Sequence, residues 1–224
     1  MIATWLLQTF AWILAFAVLL FVPAGTLHWP AAWVFLIFMV ASGIGFGGWL
    51  AKRSPELLAE RMRAPIRTDQ PKADKAFLAV FLVVNVAWLV LIGLDERFRL
   101  SGMPVGLQAF GLLLLIASSA FIAWVFAENS FAAAVVRVQS ERGHHVISTG
   151  PYAFVRHPMY SGAVLYFAAI ALQLGSWWGL VLSPVFFALF SVRADLEERE
   201  LAHGLPGYAG YLTRVRYRLV PGLW

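Results

Sequence analysis

The chain has 224 residues, of which 61% are hydrophobic and 13% charged, with a formal net charge of +5 and a mean hydropathy of +0.75. A soluble domain carries about 25% charged residues, so this surface must face lipid, where only helices or closed barrels satisfy the backbone. Cysteine is absent, which removes disulfides and thiolate chemistry together, and with no soluble basic domain the positive charge points to anionic headgroups rather than nucleic acid.

The apolar runs are long and continuous, which predicts an all-α, polytopic helical membrane protein rather than a barrel. The first run, 5–22, has no Lys or Arg ahead of it, unlike a signal peptide, and reads as a retained span. The second, 29–50, contains Gly43-x-x-x-Gly47, a spacing that lets helices pack closely. After it, Ser54-Pro55-Glu56 carries helix-start signals and Pro65 a stop. A short interfacial helix is expected there, ordinarily a connector and functionally a lid. Spans three and four cover 77–94 and 105–127. The tract 160–192 is too long for one span, and Gly175-Ser176 near its middle predicts a hairpin of two short helices.

Charge placement tests this count. Segment 51–76 holds seven Lys/Arg, 128–158 holds three and the tail beyond 192 holds five, whereas 95–104 holds only Arg97 and Arg99. About six spans put the three rich regions on one side, which makes that side, with both termini, cytoplasmic. The chain divides into four N-terminal helices with their loop (1–127) and a region able to do chemistry (128–224).

Spans one to four contain no Asp, Glu, Lys, Arg or His within their apolar stretches, which argues against a pump or coupled transporter. Reactive side chains gather instead on either side of the hairpin. One group runs from Glu141 through His144-His145 and Gly150-Pro151-Tyr152 to Arg156-His157-Pro158-Met159-Tyr160; the other runs from Arg193 through Glu197-Glu198 to Tyr208, Tyr211, Arg214 and Arg218. A hairpin returns the chain to the face it left, so the two groups can form one composite site. Gly150-Pro151 signals a turn, and Pro158 suits a first helical position, holding Arg156 and His157 beside the free amides of a helix N-terminus. His144, His145, His157 and His203 have no metal-ligand spacing, so no metal is expected. Arg193/Glu197 and Asp195/Arg199 are four apart and predict ion pairs along one helix surface. Glu197 and Glu198 project about 100° apart, leaving at least one to face the site.

Gly150-Pro151-Tyr152, Arg156-His157-Pro158-Met159-Tyr160, Glu197-Glu198-x-x-Leu201 and Tyr208-x-x-Tyr211-x-x-Arg214-Val215 fall in an order and spacing that resembles the isoprenylcysteine carboxyl methyltransferase family, relatives of the membrane phospholipid methyltransferases. The resemblance covers roughly 129–224. It implies S-adenosylmethionine as methyl donor, bound from the cytoplasm under a cap formed by the C-terminal segment. It also implies that Gly150, Tyr152, His157, Pro158, Tyr160, Glu197 and Glu198 bind the cofactor, with Arg156, Arg214 and Glu198 serving turnover. The acceptor is expected to be a lipid-like or prenylated molecule entering from the bilayer, methylated on a carboxylate or an amine. A carboxylate needs no general base, while an amine needs one, for which Glu197 or Glu198 stands ready. Compact loops and the lack of cysteine fit a bacterial inner membrane. Two other readings compete: an NADPH-dependent membrane reductase of sterol-reductase type, whose cofactor phosphate would use Arg214, Arg216 and Arg218, and a non-enzymatic membrane scaffold.

Overall fold

The structure is a computed structural model that describes residues 2–63, 70–132 and 138–224. Among these residues run α1 (Ile2–Ala24), α2 (Pro30–Arg53), α3 (Pro55–Arg61), α4 (Lys72–Phe98), α5 (Val105–Glu128), α6 (Pro158–Leu174), α7 (Trp177–Leu182), α8 (Pro184–Gly204) and α9 (Tyr208–Arg214). The fold is all-α and polytopic. Helices α1, α2, α4, α5 and the stretch Trp177–Gly204 are each long and apolar enough to cross a membrane, while α6, with 17 residues, is shorter. The six spans expected from charge placement count α6 as a short one. Large apolar side chains such as Leu7, Phe10, Val83 and Leu113 project outward, the surface that lipid demands.

Helix α5 packs along α6, and α1 packs on both α2 and α4. Glycines set the spacing. A Cβ on Gly111 would lie 2.4 Å from the backbone nitrogen of Gln173, so no larger residue lets α5 approach α6 this closely. Gly43 and Gly47 face Thr9 and Trp5 of α1, the packing role their spacing predicts. Inside the bundle, Phe167 of α6 stacks on Phe186 of α8 with centroids 3.7 Å apart, and Trp88 of α4 meets both edge-on. The Trp88 indole N–H donates to the Gly179 carbonyl at 2.8 Å, and the Gln173 amide donates to the Ala31 carbonyl at 2.9 Å. Polar ties of this kind hold helices together where no hydrophobic driving force acts between them.

The hairpin turns where the sequence predicts. Gly175, at φ +82°, ends α6, and the Ser176 hydroxyl accepts from the Gly179 N–H at 2.9 Å to start α7. Pro184 then begins α8 after a one-residue break, and the returning arm runs on without interruption from the apolar tract, which ends at 192, through the acidic cluster to Gly204.

Helix α3 begins at Pro55 as expected, although Ser54 makes no side-chain capping bond. Leu57 and Leu58 are buried against Leu50 and Phe126. Glu56 reaches Arg142 at 3.6 Å, so the helix is docked on the loop after α5. The expected stop at Pro65, and Arg67 of the basic segment, lie outside the described residues.

Candidate active site at the start of α6

The approach to α6 is shaped by a left-handed turn. Gly150, at φ +54°, opens a 3-10 turn through Ala153, and a Cβ there would lie 2.7 Å from Glu128 Cγ. The turn buries Tyr152, whose hydroxyl accepts from the Asn129 amide and whose carbonyl accepts from the Tyr211 hydroxyl, each at 2.8 Å. One ring is thus held from α5 on one side and α9 on the other.

The next residues are clamped by the C-terminal tail. The Arg156 and His157 N–H groups donate to the Tyr217 and Arg218 carbonyls, each at 2.9 Å, giving the isolated parallel bridge Val155–Tyr217. The Ser161 hydroxyl donates to the Leu219 carbonyl at 2.6 Å. The tail is closed on itself, because the Arg218, Leu219 and Val220 N–H groups all donate to the Trp224 carbonyl, and the Arg218 guanidinium lies 4.9 Å from the Trp224 ring. Pro158 occupies the first turn of α6 with His157 at its N-cap.

Both glutamates of α8 turn toward these residues. Glu197 accepts from the Tyr160 hydroxyl at 2.5 Å and lies 3.6 Å from His157 Nδ1. Glu198 is contacted by Arg156 Nε at 3.0 Å, and by His157 Nε2 and an Arg218 nitrogen at 3.2 Å each. The Arg156 contact lacks hydrogen-bond alignment, so its buried Nε has no hydrogen-bonded partner. Burial disfavours the charged form of His157, but hydrogen bonds and negative charge from Glu197 and Glu198 outweigh it and raise its pKa above the ordinary value. Burial, helped by the same two carboxylates, pushes the Tyr208 phenol far up; at neutral pH it is a neutral hydrogen-bond donor.

The ion pairs expected along α8 do not form as such. Arg193 reaches across to Asp74 of α4 at 2.5 Å and donates to the Tyr160 hydroxyl at 3.1 Å. Asp195 pairs with Arg218 of the tail at 2.7 Å. Tertiary contacts win over helix-surface spacing, since Arg193 is buried against α4 and the tail brings Arg218 to Asp195.

A cavity, partly open to solvent, lies over this network. Of the residues singled out from the sequence, Tyr152, Arg156, His157, Tyr160 and Glu197 line it. Glu198 stands just behind, while Gly150 and Pro158 shape the backbone. Arg214 is exposed at the end of α9 and is not among the lining residues, and Arg216 is exposed as well. The three tail arginines therefore do not gather at the cavity, since Arg218 is committed to Asp195 and Glu198. Sequence reasoning assigned no role to Asn129, gave Arg218 one only as a phosphate ligand in the reductase reading, and treated Tyr208 and Tyr211 only as a pattern. The alternation of tyrosine with arginine in the tail was the signal for Arg218; nothing local marks Asn129. Among the described residues no group of three His, Asp or Glu is arranged to hold a metal ion.

The donor set suits a zwitterionic sulfonium cofactor. Glu197 lines the cavity as an anion partner, aromatic rings favour a sulfonium, and Arg156 brings a positive charge to the same wall. A search of the curated proteins returns no match. A comparison with known families matches residues 107–204 to the phospholipid methyltransferases. The matched segment runs from α5 to the end of α8 and includes Gly150 to Tyr160 and both glutamates, but not α3, α9 or the tail. Over that segment the chain carries the pattern of the phospholipid methyltransferase family, that of the isoprenylcysteine carboxyl methyltransferase-like membrane methyltransferases.

Proposed function

We propose that this membrane protein is an S-adenosylmethionine-dependent methyltransferase that methylates a carboxylate or amine on a lipid-like or prenylated acceptor. The observation that carries the reading is one cavity that joins Arg156 and His157 at the start of α6 to Glu197 of α8 and to the tyrosines of α9. The cofactor would supply an activated methyl on a sulfonium. The protein's own task is then alignment and exclusion of water. Tyr152 and Tyr208 line the space for the cation, Tyr160 holds Glu197 through its hydroxyl, Glu197 opposes the positive charge, and Gly150 and Pro158 hold the walls in place. Arg156, a cation on the cavity wall, orients a carboxylate by its charge. Glu198 sets the position of Arg156, and the resemblance assigns turnover to Arg214, exposed at the end of α9. On this reading residues 128–224 form the catalytic region, served by the four N-terminal helices. The site faces the cytoplasm, with both termini, in a bacterial inner membrane.

The test is thermal unfolding of the detergent-purified protein with S-adenosylhomocysteine and with NADPH separately. A ligand at 100 times its Kd adds about 2.7 kcal/mol of stability. A shift with S-adenosylhomocysteine alone supports the reading. A shift with NADPH alone moves the assignment to a reductase, and no shift with either, from a cooperatively melting sample, makes the protein a scaffold.

A further inference from the structure

A second, larger cavity opens between α1, α2, α5 and α6. Its walls are apolar and aromatic, including Trp12, Phe16, Phe46 and Ile122. Along α1 it runs from Trp5 to Phe16, about 16 Å at the helical rise. Trp12 is largely exposed at its side, so the groove is open toward lipid. Helix α3 closes one end, tied to α1 by the Gln8 amide donating to the Met62 carbonyl at 3.1 Å.

That closed end carries a charge. Among the described residues lining the groove, Arg61 of α3 is the only charged one. Its guanidinium lies 4.5 Å from the Phe126 ring and donates to the Ala132 carbonyl at 3.0 Å, and no carboxylate among the described residues pairs with it. The other polar groups are engaged. Ser42 and Ser119 donate to backbone carbonyls, and Tyr166 donates to the Met39 sulfur. Ala132 also lines the first cavity, so Arg61 stands where groove and site meet. A cation in an apolar pocket, with no counter-charge among the described residues, is costly, and a bound anion would offset that cost.

We propose that Arg61 is the specificity-determining residue for the acceptor, binding the carboxylate head of a single-chain amphiphile whose tail fills this groove. The inference rests on the methyltransferase reading and deepens it, because Arg61 together with Arg156 repels an ammonium head and so selects carboxyl over amine methylation. In the reaction a carboxylate oxygen supplies the electron pair of the new C–O bond. The methyl C–S bond breaks with its pair retained on sulfur, and no proton moves. The ester product is neutral, so Arg61 holds the substrate and releases the product.

The experiment compares oleate, oleylamine and lysophosphatidylethanolamine as probes in thermal unfolding of wild type, Arg61→Gln, Arg61→Lys and Ala163→Phe. Each sample is also titrated with S-adenosylhomocysteine. Oleate should stabilise wild type and oleylamine should not. Arg61→Gln should weaken oleate binding about tenfold or more, Arg61→Lys should recover part of it, and Ala163→Phe, which fills the groove, should abolish it. The S-adenosylhomocysteine shift should persist in all three variants. Equal oleate binding by wild type and Arg61→Gln overturns the proposal, as does stabilisation by oleylamine or lysophosphatidylethanolamine in place of oleate. Loss of the S-adenosylhomocysteine shift in wild type, with selective oleate binding intact, overturns the methyltransferase reading and leaves the anion site standing.

Discussion

Replacing Glu198 with Gln keeps the side chain's shape and removes its charge. In the native protein that carboxylate is nearly buried and lies within 3.2 Å of Arg156, His157 and Arg218. Breaking a buried ion pair from one side costs about 3–5 kcal/mol, because the partner charge is left uncompensated. The lower end applies here, since Arg218 keeps Asp195 at 2.7 Å and His157 keeps Glu197. For a chain of this size about 3 kcal/mol corresponds to a fall in Tm of roughly 6–12 °C. The assay is tryptophan-monitored thermal unfolding in detergent of Glu198→Gln, Arg218→Met and the double variant. If Glu198 fastens the tail, the two single effects will be non-additive by about 0.5–3 kcal/mol, the range for contacting residues. A Glu198→Gln protein that melts within about 2 °C of wild type, with effects that simply add, would refute the argument.

Three further outcomes are expected. His157 has a raised pKa in the fold, so its contribution is fully present below the unfolded value near 6.5 and is lost as pH rises through the higher folded value. Wild-type Tm should therefore decline across that window, and His157→Gln should flatten the decline. Gly111→Ala should lower stability by about 1–3 kcal/mol through overpacking against Gln173, whereas Gly45→Ala, with nothing within 4 Å of its added Cβ, should be neutral or stabilising in the same melt. Tyr211→Phe leaves the buried Tyr152 carbonyl without its donor and should cost about 1–3 kcal/mol; an unchanged melt would show that the α9 contact is dispensable.

The membrane architecture was legible because lipid leaves its mark on every residue of a span, so runs of apolar residues locate α1, α2, α4 and α5 without any tertiary information. The composite site was legible from topology, since Gly175-Ser176 turns the chain back and returns Glu197 and Glu198 to the level of His157. What stayed hidden depends on partners far apart in sequence. Arg193 has a carboxylate four residues away in Glu197, yet it meets Asp74, 119 residues distant, because α4 packs on α8 at that level. Arg218 looked like one of three equivalent tail arginines until the tail folded back on Val155–His157. Arg61 looked like one more interfacial cation, and only the packing of α1, α2, α5 and α6 gives it an apolar groove to head.

The clamp between the tail and the segment before α6 also bears on the order of events during synthesis. Residues 217–224 leave the ribosome after every helix described here has been made. The amides of Arg156 and His157 must therefore wait without their final acceptors while α6, α7 and α8 enter the bilayer. Ribosome-stalled chains ending before Tyr217 should consequently be inserted yet melt without the stability the clamp adds, and that stability should appear once residues 217–224 emerge.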